Sequence, residues 1–148
     1  MRKGLLTAAL LAVAALGLPA AADTVQTPPV TPGMARVWFF RQFQPDQGLR
    51  TPMLYINGTP FASSVPGTVF YRDLPAGNYT FSVETCTRDT NQNTSLNLPS
   101  GSETELEVQS LSSFHSYGCI GNTTFYVRPI TPHIAELYFS QLAYIGPR

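Results

Sequence analysis

The chain has 148 residues, 43% hydrophobic and 12% charged, with nine basic residues balancing nine acidic ones. No basic run occurs, which argues against a nucleic-acid partner held by phosphate neutralisation and against a polybasic membrane-binding surface. Two cysteines and two scattered histidines have no metal-ligand spacing, so no metal or cofactor is expected.

In chain order, the first feature is an export signal. Met1-Arg2-Lys3 is basic, and Gly4 to Leu18 is almost all Ala, Leu and Val, with Thr7 the polar exception. Pro19 breaks the run and Ala20-Ala21-Ala22 follows. These are the three parts of a secretory signal, with cleavage expected between Ala22 and Asp23. The apolar run is about 15 residues, short of the roughly 20 that span a bilayer; an uncleaved anchor is the alternative. No cysteine stands near Ala22 to take a lipid. A periplasmic or secreted protein with no integral membrane segment after cleavage is expected. Loss of Arg2 and Lys3, the latter the sole lysine, takes the nine basic residues to seven against nine acidic. The mature chain is then mildly acidic, and its length, about 126 residues, fits one domain with a real core.

Asp23 to Gly33 carries Pro28, Pro29 and Pro32 and reads as an extended linker. The expected organisation is signal 1–22, linker 23–34 and folded body 35–148. Arg36 to Arg41 is apolar on both sides at its centre, as in a strand buried on both faces. Pro52 to Ile56 is a second strand, ended by the hairpin signal Asn57-Gly58, with Phe61 on the return. Thr68 to Arg72 follows, then a turn at Pro75-Ala76-Gly77-Asn78. Tyr79 to Glu84 alternates cleanly, and Ser95 to Leu98 is another strand. In Thr104 to Gln109, Leu106 and Val108 face inward, while Glu103, Glu105 and Glu107 form a solvated row. Thr124 to Arg128 completes seven or eight short strands, the pattern of an all-β antiparallel sandwich. After Thr131-Pro132, Ile134, Leu137, Tyr138, Gln141, Leu142 and Ile145 fall at helical spacing. A short C-terminal helix is expected there, with a strand over Leu137–Leu142 as the alternative.

Cys86 and Cys119, an even count in an exported chain, read as a disulfide. Closing a loop of roughly 34 residues would stabilise the fold by about 3–4 kcal/mol. Candidates for catalysis are Ser113, His115, His133 and Asp73, and Asp73 with Glu84 could supply paired carboxylates. None has a recognised setting. The histidines read as surface or capping residues and Asp73 as an Asx-type turn contact. Asn57, Asn78, Asn93 and Asn122 begin glycosylation-type triplets but read as turn residues. No enzyme is expected.

Tyr55-Ile-Asn-Gly-Thr59 and Phe70-Tyr-Arg-Asp-Leu-Pro-Ala-Gly-Asn-Tyr-Thr-Phe-Ser-Val83 resemble bacterial exported envelope proteins with a small immunoglobulin-like sandwich, related to PEGA modules. The resemblance covers roughly residues 35–85 and rests on turn chemistry. It implies an immunoglobulin-like fold in the cell envelope. Many such members carry a lipid-attachment cysteine, absent here.

The surplus of the sequence is aromatic. Val37 and Phe39 point to one side of their strand, Trp38 and Phe40 to the other. One set must therefore meet something beyond a sandwich core: the C-terminal helix, an envelope protein partner or a second copy. If Trp38, Tyr55 and Tyr71 shared an exposed face, they would make a stacking platform for glycans. The sequence thus predicts a non-enzymatic interaction or structural module of the envelope, or alternatively a carbohydrate- or peptidoglycan-binding module.

Overall fold

The doubly apolar run Met34–Arg41 forms β1 at the centre of a five-stranded sheet. The computed structural model describes residues 27–45, 49–86, 89–111 and 124–147. The described residues are mostly β, with two sheets and one short helix. After β1 come β2 (Met53–Ile56), β3 (Thr59–Ser63), β4 (Thr68–Pro75), β5 (Gly77–Val83), β6 (Thr94–Leu98), β7 (Glu103–Leu111), β8 (Thr124–Ile130), α1 (Pro132–Phe139) and β9 (Ala143–Tyr144). The sheets run β8-β7-β1-β4-β9 and β3-β2-β5-β6. Eight strands fall where alternation places them, and β9 is additional.

The expected antiparallel arrangement holds in the four-stranded sheet only. The five-stranded sheet is mixed, because β1 pairs with β7 in parallel and β4 with β9 in parallel. The first of these pairings joins the start of the body to a strand more than sixty residues later, beyond the reach of any hairpin signal.

Two turns place the strands. Asn57 and Gly58 have φ of +50° and +79° and join β2 to β3 as a two-residue hairpin. Asn57 also accepts from the Thr80 N–H at 2.8 Å and donates its own N–H to the Thr80 carbonyl, fastening the turn to β5. The Pro75–Gly77 turn does something else. It carries the chain from β4 in one sheet to β5 in the other, and the Tyr79 hydroxyl donates back to the Pro75 carbonyl at 2.8 Å.

The two sheets share one core: Ala35, Val37, Phe39, Leu106, Val108, Phe125 and Val127 from one, and Leu54, Phe81, Val83 and Leu98 from the other. Phe39 stands at its middle, stacked on Phe70 and edge-on to Phe81. Each such large apolar side chain contributes roughly 1.5–3 kcal/mol by leaving water. One flank is laced shut, with Thr94 Oγ1 donating to the Val127 carbonyl and Val127 N–H to that of Gln92. The opposite flank keeps a groove of about 520 Å³ beside Phe61, Phe70 and Ile145.

A second apolar cluster lies on the outer face of the five-stranded sheet. Trp38, Phe40, Val69 and Tyr71 pack there beneath Ala135, Tyr138, Phe139, Leu142 and Tyr144. α1 starts because Thr131 is extended, Pro132 fixes the first helical φ, and the Ile134 and Ala135 N–H groups donate to the Thr131 carbonyl. Ala135, fully buried, offers a small contact that brings the helix close to the sheet. The helix expected to reach Ile145 ends at Phe139, and the alternative strand over Leu137–Leu142 does not form. The edge of β4 offers backbone partners that a longer helix could not use: Ala143 and Ile145 donate to the Gly67 and Val69 carbonyls.

Candidate functional site

The outer face of the five-stranded sheet is closed by the chain itself. Trp38 and Tyr71 are each 8% exposed, with ring centroids 5.2 Å apart. Phe139 and Tyr144 cover them, and burial, reinforced by neighbouring Tyr71, pushes the Tyr144 hydroxyl up to about 12. Tyr55 lies on the other sheet. The expected platform of Trp38, Tyr55 and Tyr71 is therefore not one surface. Alternation told which side Trp38 takes, not that α1 and β9 would cover it.

The same face holds charges that the sequence read as solvent-facing or as turn contacts. Arg36, 1% exposed, stands opposite Asp73 in the β1–β4 register. Its Nε donates to Asp73 Oδ1 at 2.8 Å and its Nη2 to Oδ2 at 2.9 Å, while its Nη1 donates to the Pro28 carbonyl at 2.7 Å. The guanidinium lies 3.9 Å from the Tyr71 ring centroid. This pairing, rather than an Asx-type turn, accounts for Asp73; it raises the Arg36 pKa, against a smaller opposing effect of burial. Pro28, ahead of β1, is thereby held to that strand.

Of the glutamate row, only Glu103 remains exposed, accepting from Trp38 Nε1 at 2.8 Å. Glu105 and Glu107 are buried, contrary to the solvated row expected, because α1 packs over β7. Glu107 accepts from the Gln42 and Gln109 amides. Burial first, then the like charges of Glu103 and Glu136, raises the Glu105 pKa.

The outward face of the four-stranded sheet is different. β5 and β6 place Thr80 opposite Ser95, hydroxyls 2.9 Å apart, and Asn78 opposite Asn97, with amides bonded at 2.9 Å. Asn78 is thus a strand residue, not a turn residue. Tyr55 and Ser82 pair across β2 and β5, and Asn93 stands just before Thr94, the partner of Phe81, in line with them. Half-buried Tyr55, with Ser82, Asp89, Asn91 and Asn93, borders a shallow cleft of about 690 Å³.

The loop behind that cleft is built, not merely polar. Buried Gln92 accepts from the Asp89 N–H at 2.9 Å and donates to Thr85 Oγ1 at 3.2 Å. Tyr126 donates its hydroxyl to Asp89 Oδ2 at 2.7 Å, and this bond, with that from the Thr90 N–H, lowers the Asp89 pKa. Asn91 takes a left-handed φ of +61°, which asparagine tolerates better than most residues. Sequence reasoning passed over Asp89 and Gln92. A cluster of Asp, Thr, Asn and Gln between strands signals a turn, and only the fold sets it beside Tyr55.

His133 is exposed at the start of α1. Asp73 is in β4, and Glu84 lies just past the end of β5 of the other sheet, where it accepts from the Met53 N–H at 3.1 Å. Cys86 lies just past β5, whereas Cys119, Ser113, His115, Asn122, Ala22 and Asp23 lie outside the described residues. Among the described residues, no group of three or more His, Cys, Asp or Glu could hold a metal ion. No described helix is long and apolar enough to cross a membrane, which says nothing of spanning by strands. No protein-family model matches the chain, and no curated protein matches it.

Proposed function

We propose that this protein is an exported, non-enzymatic binding module of the bacterial envelope, a β-sandwich that recognises its partner through the outward face of the four-stranded sheet. The observation that carries this reading is the contrast between the two outer faces. One is sealed by α1 and β9, and the other presents Tyr55, Asn78, Thr80, Ser82, Ser95 and Asn97 without a covering element among the described residues. The export signal and the Cys86–Cys119 disulfide belong to the same proposal.

Kinship with the PEGA-like envelope modules is supported by the Asn57-Gly58 hairpin and by the Leu74–Tyr79 corner with its hydroxyl-to-carbonyl bond. A tyrosine closing a corner on upstream backbone is also an immunoglobulin-domain feature. The strand order is the chain's own: immunoglobulin domains put the first, second, fifth and fourth strands in one sheet, whereas here the first and fourth share a sheet with the seventh and eighth. The immunoglobulin-like reading therefore concerns packing and corner, not connectivity.

The test is affinity capture from envelope extracts by the mature protein. Capture should fail with Thr80→Arg combined with Ser95→Arg and persist with Leu137→Arg on the exposed side of α1. Native mass spectrometry should distinguish an envelope protein partner from self-association. Capture that ignores the sheet-face pair, or an isolated monomer that captures nothing, refutes the reading. Carbohydrate or peptidoglycan binding is the second reading, favoured by the aromatic ring of Tyr55 beside hydroxyl and amide side chains.

A further inference from the structure

We infer that the cleft at Tyr55 is a saccharide subsite for a neutral oligosaccharide, with Tyr55 as the stacking surface and Asp89, Asn91, Asn93 and Ser82 as the hydroxyl-binding rim. The inference rests on the reading that the four-stranded face is the binding face, and it specifies the ligand there.

Three observations carry it. The lining combines one half-exposed aromatic with amides and a hydroxyl that both donate and accept. A sugar ring has the matching character, with an apolar C–H face for the ring and a rim of hydroxyls for the polar groups. Among the described lining residues, Asp89 is the single charged group. Its carboxylate oxygens are acceptors, which suits the neutral hydroxyls of a sugar.

The geometry is also prepared. The register sets Tyr55 beside Ser82, and Asn93 extends that line. Asp89 is fixed by Tyr126 and Thr90, and its loop is fixed by Gln92 and by the Val127–Gln92 backbone bond. Groups held in this way lose little freedom on binding, which raises affinity without further contacts. A cleft of about 690 Å³ lies within the usual range for small-ligand sites.

The experiment is a ¹H–¹⁵N NMR titration of the mature protein with three neutral probes: cellohexaose, maltohexaose and chitohexaose. At least one should bind saturably, with shifts concentrated at Tyr55, Ser82, Asn91 and Asn93. Tyr55→Ala should weaken binding about tenfold, the loss of one aromatic contact. Tyr55→Phe keeps the ring and should retain affinity, which guards against a merely unfolded Tyr55→Ala. Asn93→Ala, on an exposed residue, should weaken binding severalfold. Absence of saturable binding by all three probes, or shifts centred elsewhere, overturns the subsite. If envelope capture remains sensitive to Thr80→Arg with Ser95→Arg while the sugars fail, the subsite falls and the binding face stands.

Discussion

Replacing Asp73 with alanine strips a buried guanidinium of its partner. Arg36 is 1% exposed and Asp73 27%, and two charge-assisted hydrogen bonds of 2.8 and 2.9 Å join them. Bonds of this kind are worth about 1.5–3 kcal/mol each, and breaking a buried pair from one side costs about 3–5 kcal/mol. Two features reduce the figure. Asp73 is partly solvated, and Arg36 keeps the Pro28 carbonyl and the Tyr71 ring. The expected loss is therefore about 2–3 kcal/mol, or roughly 8–12 °C in Tm for a domain of this size. Urea unfolding followed by the emission of Trp38, the single tryptophan, gives the measurement. Adding Arg36→Met to Asp73→Ala should recover part of the loss, because the unpaired buried guanidinium is then gone. A loss below about 1 kcal/mol for Asp73→Ala would show that Arg36 is satisfied without its carboxylate.

Other expectations follow from the same contacts. Glu105 has a raised pKa, so the folded state holds its proton more tightly than the unfolded state; stability should fall as pH rises from the ordinary glutamate range through the folded-state pKa. Glu105→Gln should flatten that part of the urea-midpoint profile and stabilise the protein at neutral pH, and an unchanged profile would contradict the assignment. Trp38 should emit at short wavelength and resist acrylamide, whereas truncation before Thr131 should red-shift the emission and expose the ring to quencher. The proposed Cys86–Cys119 disulfide is checked by intact mass, which should fall two hydrogens short of that of the reduced chain, and Cys86→Ser should then cost about 3–4 kcal/mol by the chain-entropy relation.

The strands were legible because their signal is local. β5 alternates within seven residues, and Asn57-Gly58 needs only its own two dihedral angles. Which strands share a sheet was not. The Leu-Pro-Ala-Gly turn announces a reversal, yet the same chemistry serves a hairpin or a crossing between sheets, and here it crosses. Parallel pairing of β1 with β7 and the meeting of Arg36 with Asp73 depend on register over long sequence separations. Alternation likewise assigned Trp38, Glu105 and Glu107 to a side without saying what lies above it. That is why one expected stacking platform resolved into a buried cluster at Trp38 and Tyr71 and an open cleft at Tyr55. The aromatic surplus on β1 needs a cover, and the C-terminal segment supplies it.

The most direct test of the proposed binding face is site-specific photo-crosslinking in cells that produce the protein. A photoreactive phenylalanine analogue at Thr80 reports on the four-stranded face, and one at Leu137 reports on the outside of α1. A discrete crosslinked product is expected from Thr80 and none from Leu137. A product from Leu137 alone would place the partner on the helix side and rule out the four-stranded face.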